Sequence, residues 1–167
     1  ITKLYKNNGD NTFTEITDIS LLNVDSGNMA WGDYDNDGDL DILFTGYNGG
    51  YFTKIYRNNI PTANTIPTKP ANTQNSISSQ NVTLSWDKAS DNETPQNGLS
   101  YNVYLGTVPG GAGTASPMSD VTTGYRRVAQ FGNTNLNNSW TFKDLPYGKY
   151  YWGVQAIDNT FAGSEFS

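Results

Sequence analysis

Between Asp33 and Asp41 the chain reads Asp-Tyr-Asp-Asn-Asp-Gly-Asp-Leu-Asp, five aspartates on alternate positions. Carboxylates this close repel one another unless a cation sits among them. Hard divalent ions take several oxygen ligands, and Ca²⁺ accepts them in flexible geometry. Gly38, sixth in the run, lets the backbone turn sharply and brings the first, third, fifth and ninth side chains towards one point. The run is therefore read as a Ca²⁺ loop. Its nearest competitor, a helix-flanked loop of the EF-hand kind, needs a bidentate Glu at the twelfth position, which here is Phe44. The flanks Met29–Gly32 and Ile42–Thr45 also have the texture of strands. Mg²⁺ fits less well, because it keeps its waters and avoids all-protein cages.

The rest of the composition limits the function classes. Net charge is −6, and the loop alone carries five of the negative charges, so the remainder is nearly neutral. No basic stripe for nucleic acid or for an anionic membrane is present. No apolar run reaches the length of a membrane span. Cysteine and histidine are both absent. Disulfide frameworks, His-based zinc sites and Ser-His-Asp or Cys-His catalysis are thereby excluded. With no second metal-ligating cluster, the ion is expected to be structural and the chain non-catalytic. Asp10, Asp18 and Asp25 are assigned to turns and caps. Asp87, Asp91 and Glu93 sit in one stretch and are read as loop polarity rather than an acid/base pair facing across a cleft.

Long helical periodicity is missing, and short alternating runs between Asn- and Gly-rich turns dominate, which predicts an all-β fold. Lys3-Leu4-Tyr5-Lys6-Asn7-Asn8 recurs as Lys54-Ile55-Tyr56-Arg57-Asn58-Asn59, a spacing of 51 residues. Repeats of that period mark propellers or solenoids. Strands are expected at 3–6, 12–16, 28–32, 40–45 and 51–57, with hairpin turns at Asn8–Asn11 and Asn48–Gly50. Residues 61–72 form a Pro-rich linker. Beyond it, Val82, Leu84 and Trp86 share one face of a strand, as do Tyr101, Val103 and Leu105, and Tyr150, Trp152, Val154 and Ala156. Further strands are expected at 125–131 and 139–142. Trp86 and Trp152 are assigned to a core.

The segment Ala30-Trp31-Gly32-Asp33-Tyr34-Asp35-Asn36-Asp37-Gly38-Asp39-Leu40-Asp41-Ile42-Leu43, with the two Tyr-Lys/Arg-Asn-Asn copies, resembles the FG-GAP/VCBS-type repeat of β-propellers. The resemblance covers residues 1–60 and implies a partial propeller-type blade. In it Asp33, Asp35, Asp37 and Asp41 would ligate Ca²⁺ through side chains, and Asp39 through its backbone carbonyl. Residues 73–167 resemble a fibronectin type III-like β-sandwich, carried by Val82–Asp87, Tyr101–Tyr104 and Leu145–Ala156, with Tyr150 in the tyrosine-corner position. Together these resemblances imply an extracellular, secreted or cell-surface, calcium-binding adhesion or interaction module. It would be a fragment of a larger protein and would pack on further repeats. The alternative is a carbohydrate-binding accessory region of a polysaccharide-degrading enzyme, using exposed aromatics. Nucleic acid and membrane insertion are not expected, and whether the ligand is protein or glycan stays open.

Overall fold

The computed structural model describes residues 1–8, 10–35, 37–59, 61, 64–126 and 128–167. Gly9 of the first expected turn, Asn36 of the aspartate loop and Arg127 of the expected strand at 125–131 lie outside them, as do Ile60, Thr62 and Ala63. The fold is all-β, with no α-helix among the described residues. Among the described residues no helix is long and apolar enough to cross a membrane. Two compact units are present. The first comprises Ile1–Asn36 and Leu40–Ile60, the second Asp37–Asp39 and Pro61–Ser167.

In the first unit, β1 (Leu4–Asn7) and β2 (Phe13–Ile16) form an antiparallel hairpin with Tyr5 opposite Glu15. Strands β3 (Ser26–Gly32), β4 (Asp41–Tyr47) and β5 (Tyr51–Tyr56) form an antiparallel meander with β4 in the centre. Side chains alternate across β4, so its two faces can be told apart. One carries buried Ile42 and Phe44, with Phe44 edge-on to Phe52 at 5.5 Å and tilted against Tyr56 at 6.4 Å. Gly46, on the same face, lies against Val24. A Cβ there would come within 2.7 Å of the Val24 side chain, so only glycine lets that segment approach. The opposite face keeps Leu43, Ile55, Tyr47 and Tyr51 exposed.

In the second unit, β6 (Ala71–Ser78), β7 (Asn81–Asp87) and β9 (Ser139–Phe142) form one antiparallel sheet, in the order β6-β7-β9. Strands β8 (Ser100–Gly106) and β10 (Tyr151–Ile157) form another. Leu84 and Trp86 of β7 meet Tyr101 and Val103 of β8 and Val154 and Ala156 of β10 in one buried cluster, giving a β-sandwich-like fold. Trp86 and Tyr101 lie 5.7 Å apart, and the Tyr101 hydroxyl accepts the Ala89 N–H at 3.1 Å. The Tyr150 hydroxyl donates to Pro146 O, four residues upstream, at 2.9 Å, which pins the turn before β10.

The expected strand at 125–131 does not form among its described residues, apart from an isolated bridge between Ser119 and Arg126. The segment serves another purpose. Both faces of β8 and β10 are buried, and residues 114–126 and 128–135 cover the face away from the core. Gln155 there is fully buried. Its amide accepts Ser119 Oγ at 2.9 Å and donates to Gly124 O and Ser164 O at 2.5 and 2.7 Å. Asn102 Nδ2 joins this network, donating to Pro117 O at 2.6 Å. The Arg126 guanidinium donates to Ser119 Oγ and to the carbonyls of Val128 and Gln130. Burial lowers the pKa of Arg126. The backbone carbonyls of Val128 and Gln130 are thus engaged by a cation instead of a neighbouring strand.

Residues 64–70 are fastened to the rest of the second unit. Asn64 Nδ2 donates to Asp158 at 2.8 Å, the Thr65 hydroxyl to Glu93 at 2.7 Å, and Thr68 exchanges bonds with Ser90. Pro67 and Pro70 are buried. Asp158 is 1% exposed. Burial raises its pKa, while bonds from Asn64, Thr160 and Ala162 act in the opposite direction. Asp158→Ala removes the acceptor for Asn64, for the Thr160 hydroxyl and for the N–H groups of Thr160 and Ala162. Urea denaturation should show a loss of about 2–4 kcal/mol, and limited proteolysis should cut near 61–66 faster than in the parent chain.

Candidate metal-binding loop

The loop joins β3 to β4 directly. Gly32 ends β3 opposite Asp41, the first residue of β4, so the intervening residues form the connection between paired strand ends. Gly38 has φ +93°, a conformation that L side chains rarely adopt, and it supplies the sharp turn expected at the sixth position.

The structure brings together Asp33, Asp35 and Asp37. One carboxylate oxygen from each lies within 4.8 Å of the other two. Asp35 is held from outside the loop, by Arg57 Nε at 2.7 Å from its Oδ2. Its Oδ1 is buried and has no hydrogen-bond partner among the described residues. A buried carboxylate oxygen without a donor is uncommon and costly. Here it stands beside two further carboxylates, so a cation would satisfy what no N–H does. The donor set is hard oxygen throughout, which suits Ca²⁺.

Asp41 is engaged differently. It is 2% exposed, and both its oxygens accept backbone N–H groups, Oδ2 from Tyr34 at 3.1 Å and Oδ1 from Asn58 at 2.7 Å. It therefore ties the start of the loop to the residues that follow β5. Asp39 donates its backbone N–H to Asp37 Oδ1 at 3.1 Å. Neither Asp39 nor Asp41 belongs to the group of three convergent carboxylates. Arg57 is the participant that composition alone does not reveal. Its signal in the sequence is its place in the second Tyr-Lys/Arg-Asn-Asn copy, where the first copy has Lys6.

Other acidic residues serve as turn acceptors. Asp10 takes the Thr12 N–H and hydroxyl, and Asp91 Oδ2 takes the N–H groups of Glu93 and Thr94. Among the described residues no other acidic cluster converges as the loop aspartates do. Of the tryptophans, Trp86 is in the core and Trp152 packs against it, whereas Trp31 and Trp140 are 47% and 38% exposed.

A sequence profile described as FG-GAP-like repeat matches residues 2–44, from β1 through the aspartate loop to the middle of β4. The match covers roughly a quarter of the chain. No curated protein matches the chain. Domains built on such repeats are generally non-catalytic and typical of extracellular or surface proteins.

The hydrogen-bonding role of Asp41 can be measured in metal-free buffer. Asp41→Ala strips two backbone N–H groups of their acceptor and should cost about 2–4 kcal/mol by urea denaturation.

Proposed function

We propose that this chain is a non-catalytic, extracellular, calcium-stabilised interaction module whose first unit is built to pack on further repeats of its own kind. The convergence of Asp33, Asp35 and Asp37, one of them with a buried carboxylate oxygen that finds no hydrogen-bond partner among the described residues, carries this reading. A bound ion would offset the repulsion in the loop and fasten the β3–β4 connection, with Asp39 adding its carbonyl and Asp41 setting the strand ends. Its role is then structural. Extracellular calcium is abundant enough to fill a modest-affinity site, in keeping with a secreted or cell-surface location. The FG-GAP-like match over residues 2–44 supports the same class of module. The second unit, a fibronectin III-like sandwich on the resemblance of its strands and the Tyr150–Pro146 bond, would act as a spacer or as a further binding surface.

Thermal melts with Ca²⁺ and with chelator test the reading. Calcium at 100 times its Kd should add about 2.7 kcal/mol of stability. The increment should vanish in Asp37→Ala, and Mg²⁺ should give less. An unchanged melt of the parent chain in chelator sinks the structural-calcium reading.

The carbohydrate-binding alternative rests on Tyr147, 84% exposed on the turn pinned by Tyr150. It borders a groove of about 250 Å³, lined also by Ile77, Leu84, Leu105 and Trp152 and by no charged side chain. If the groove takes neutral glycans, a glycan array should give hits that Tyr147→Ala removes, and an array without hits counts against it.

A further inference from the structure

Arg57 and Asn58, the two residues that follow β5, reach the aspartate loop by different means. The Asn58 N–H donates to Asp41 Oδ1 at 2.7 Å, and Asp41 is buried, so the backbone is fixed at that point. One residue earlier the Arg57 side chain extends to Asp35, with Nε 2.7 Å from Oδ2. Ion pairs at a surface usually contribute little. This one differs in what it holds. Asp35 is one of the three aspartates whose carboxylates converge, and its side chain is 21% exposed against 51% for Arg57. With Oδ2 taken by Arg57, Oδ1 is the oxygen left for an ion, and it is buried without a hydrogen-bond partner among the described residues. A guanidinium has no lone pair to give a metal. Arg57 therefore enters the site as a brace on Asp35 and as a fixed charge.

We infer that Arg57 is a specificity-determining residue of the loop, whose fixed positive charge suits the site to a divalent ion and disfavours ions of higher charge. Asp33, Asp35 and Asp37 carry a charge of −3 between them, and Arg57 brings the group to −2, which one divalent ion balances. Asp39 and Asp41 bear the same charge whichever ion is bound, so they do not alter the comparison. Coulomb energy scales with the charge of the ion, so a resident guanidinium repels a trivalent ion half as strongly again as a divalent one. Arginine fits the task better than lysine. It is always protonated, and its planar fork keeps the charge where the hydrogen bond sets it. Both copies of the repeated hexapeptide have a cation at this place, but Lys6 stands on β1 opposite Thr14, whereas Arg57 lies just beyond β5 and within reach of the loop. A resident cation also keeps calcium affinity modest, which an extracellular site tolerates. This role rests on the calcium reading of the loop and adds to it the choice of ion.

The test is titration of the full chain with Tb³⁺, read by sensitised emission, and displacement of that ion by Ca²⁺. Low ionic strength keeps screening weak. The ratio of the two affinities is compared in the parent chain, Arg57→Gln and Arg57→Lys. Loosening of the loop penalises both ions alike, so the ratio reads the charge. Arg57→Gln should raise the preference for Tb³⁺ by about tenfold, whereas Arg57→Lys, which keeps the charge, should leave it within about twofold of the parent. An unchanged ratio in Arg57→Gln, or an equal rise in Arg57→Lys, overturns the proposal. A second measurement needs no variant. In the isotopically labelled parent chain the Arg57 Nε–H signal should stay protected from solvent exchange when Ca²⁺ saturates the loop. Its loss on saturation would mean that Arg57 releases Asp35, and would overturn the proposal as well. Absence of Ca²⁺ binding to the parent sinks the calcium reading and Arg57 with it, while binding with an indifferent ratio removes the role of Arg57 alone.

Discussion

Asp41 is the point on which the first unit turns. A carboxylate buried at 2% exposure is tolerated only because two backbone N–H groups fill its oxygens. Those N–H groups belong to Tyr34, just inside the loop, and Asn58, just beyond β5. One side chain therefore joins three places in sequence: the loop entry, the head of the central strand and the exit of the edge strand. With them fixed, Arg57 stands within 2.7 Å of Asp35, and the three convergent aspartates are held on one side of the turn. The loop is thus shaped by hydrogen bonds before any ion is considered. This is the preorganisation a site needs if binding is not to spend its energy on ordering the chain.

Much of this was legible because local chemistry demanded it. Alternating aspartates with Gly38 between them specify a turn, and the alternation of Ile42 and Phe44 with Leu43 specifies a half-buried strand. Trp86, Tyr101 and Val154 announced a core by the same period of two. The tie between Asp41 and Asn58 was not legible, because it joins residues 17 apart through a backbone group with no side-chain signature. Asp41 looked like one more ligand of equal standing with Asp33. Its burial separates it from the other aspartates.

The second unit shows a different limit. Gln155 and Asn102 alternate with core residues on β10 and β8, so period-two reading sends them to solvent. They are buried because the segment around Pro117, Ser119 and Gly124 lies over that face and offers carbonyls and a hydroxyl at the required positions. Loop coverage of a polar sheet face leaves no periodic trace, and the loop's Gly, Ser and Pro content reads simply as irregular. Tyr125–Phe131 misled for the same reason. Its apolar content suits a strand, yet the carbonyls of Val128 and Gln130 are taken by Arg126.

The contrast between the units bears on function. Among the described residues the buried hydrophobic side chains of the first unit are Ile42 and Phe44, while the second has eleven, from Leu84 to Ile157. A core of two residues supplies little against the entropy of ordering some sixty residues. The first unit must draw stability from outside its own hydrophobic packing. Two sources fit its surface: a cation in the aspartate loop, and apolar cover over Leu43, Ile55, Tyr47 and Tyr51. They act on the same strands, since the loop sets the start of β4 and the exposed row runs across β4 and β5. An ion that orders the loop would therefore also order the row to be covered, and a neighbour that covers the row would hold the loop ready for the ion. Calcium binding and repeat packing in this unit are thus expected to be cooperative, each lowering the ordering cost of the other.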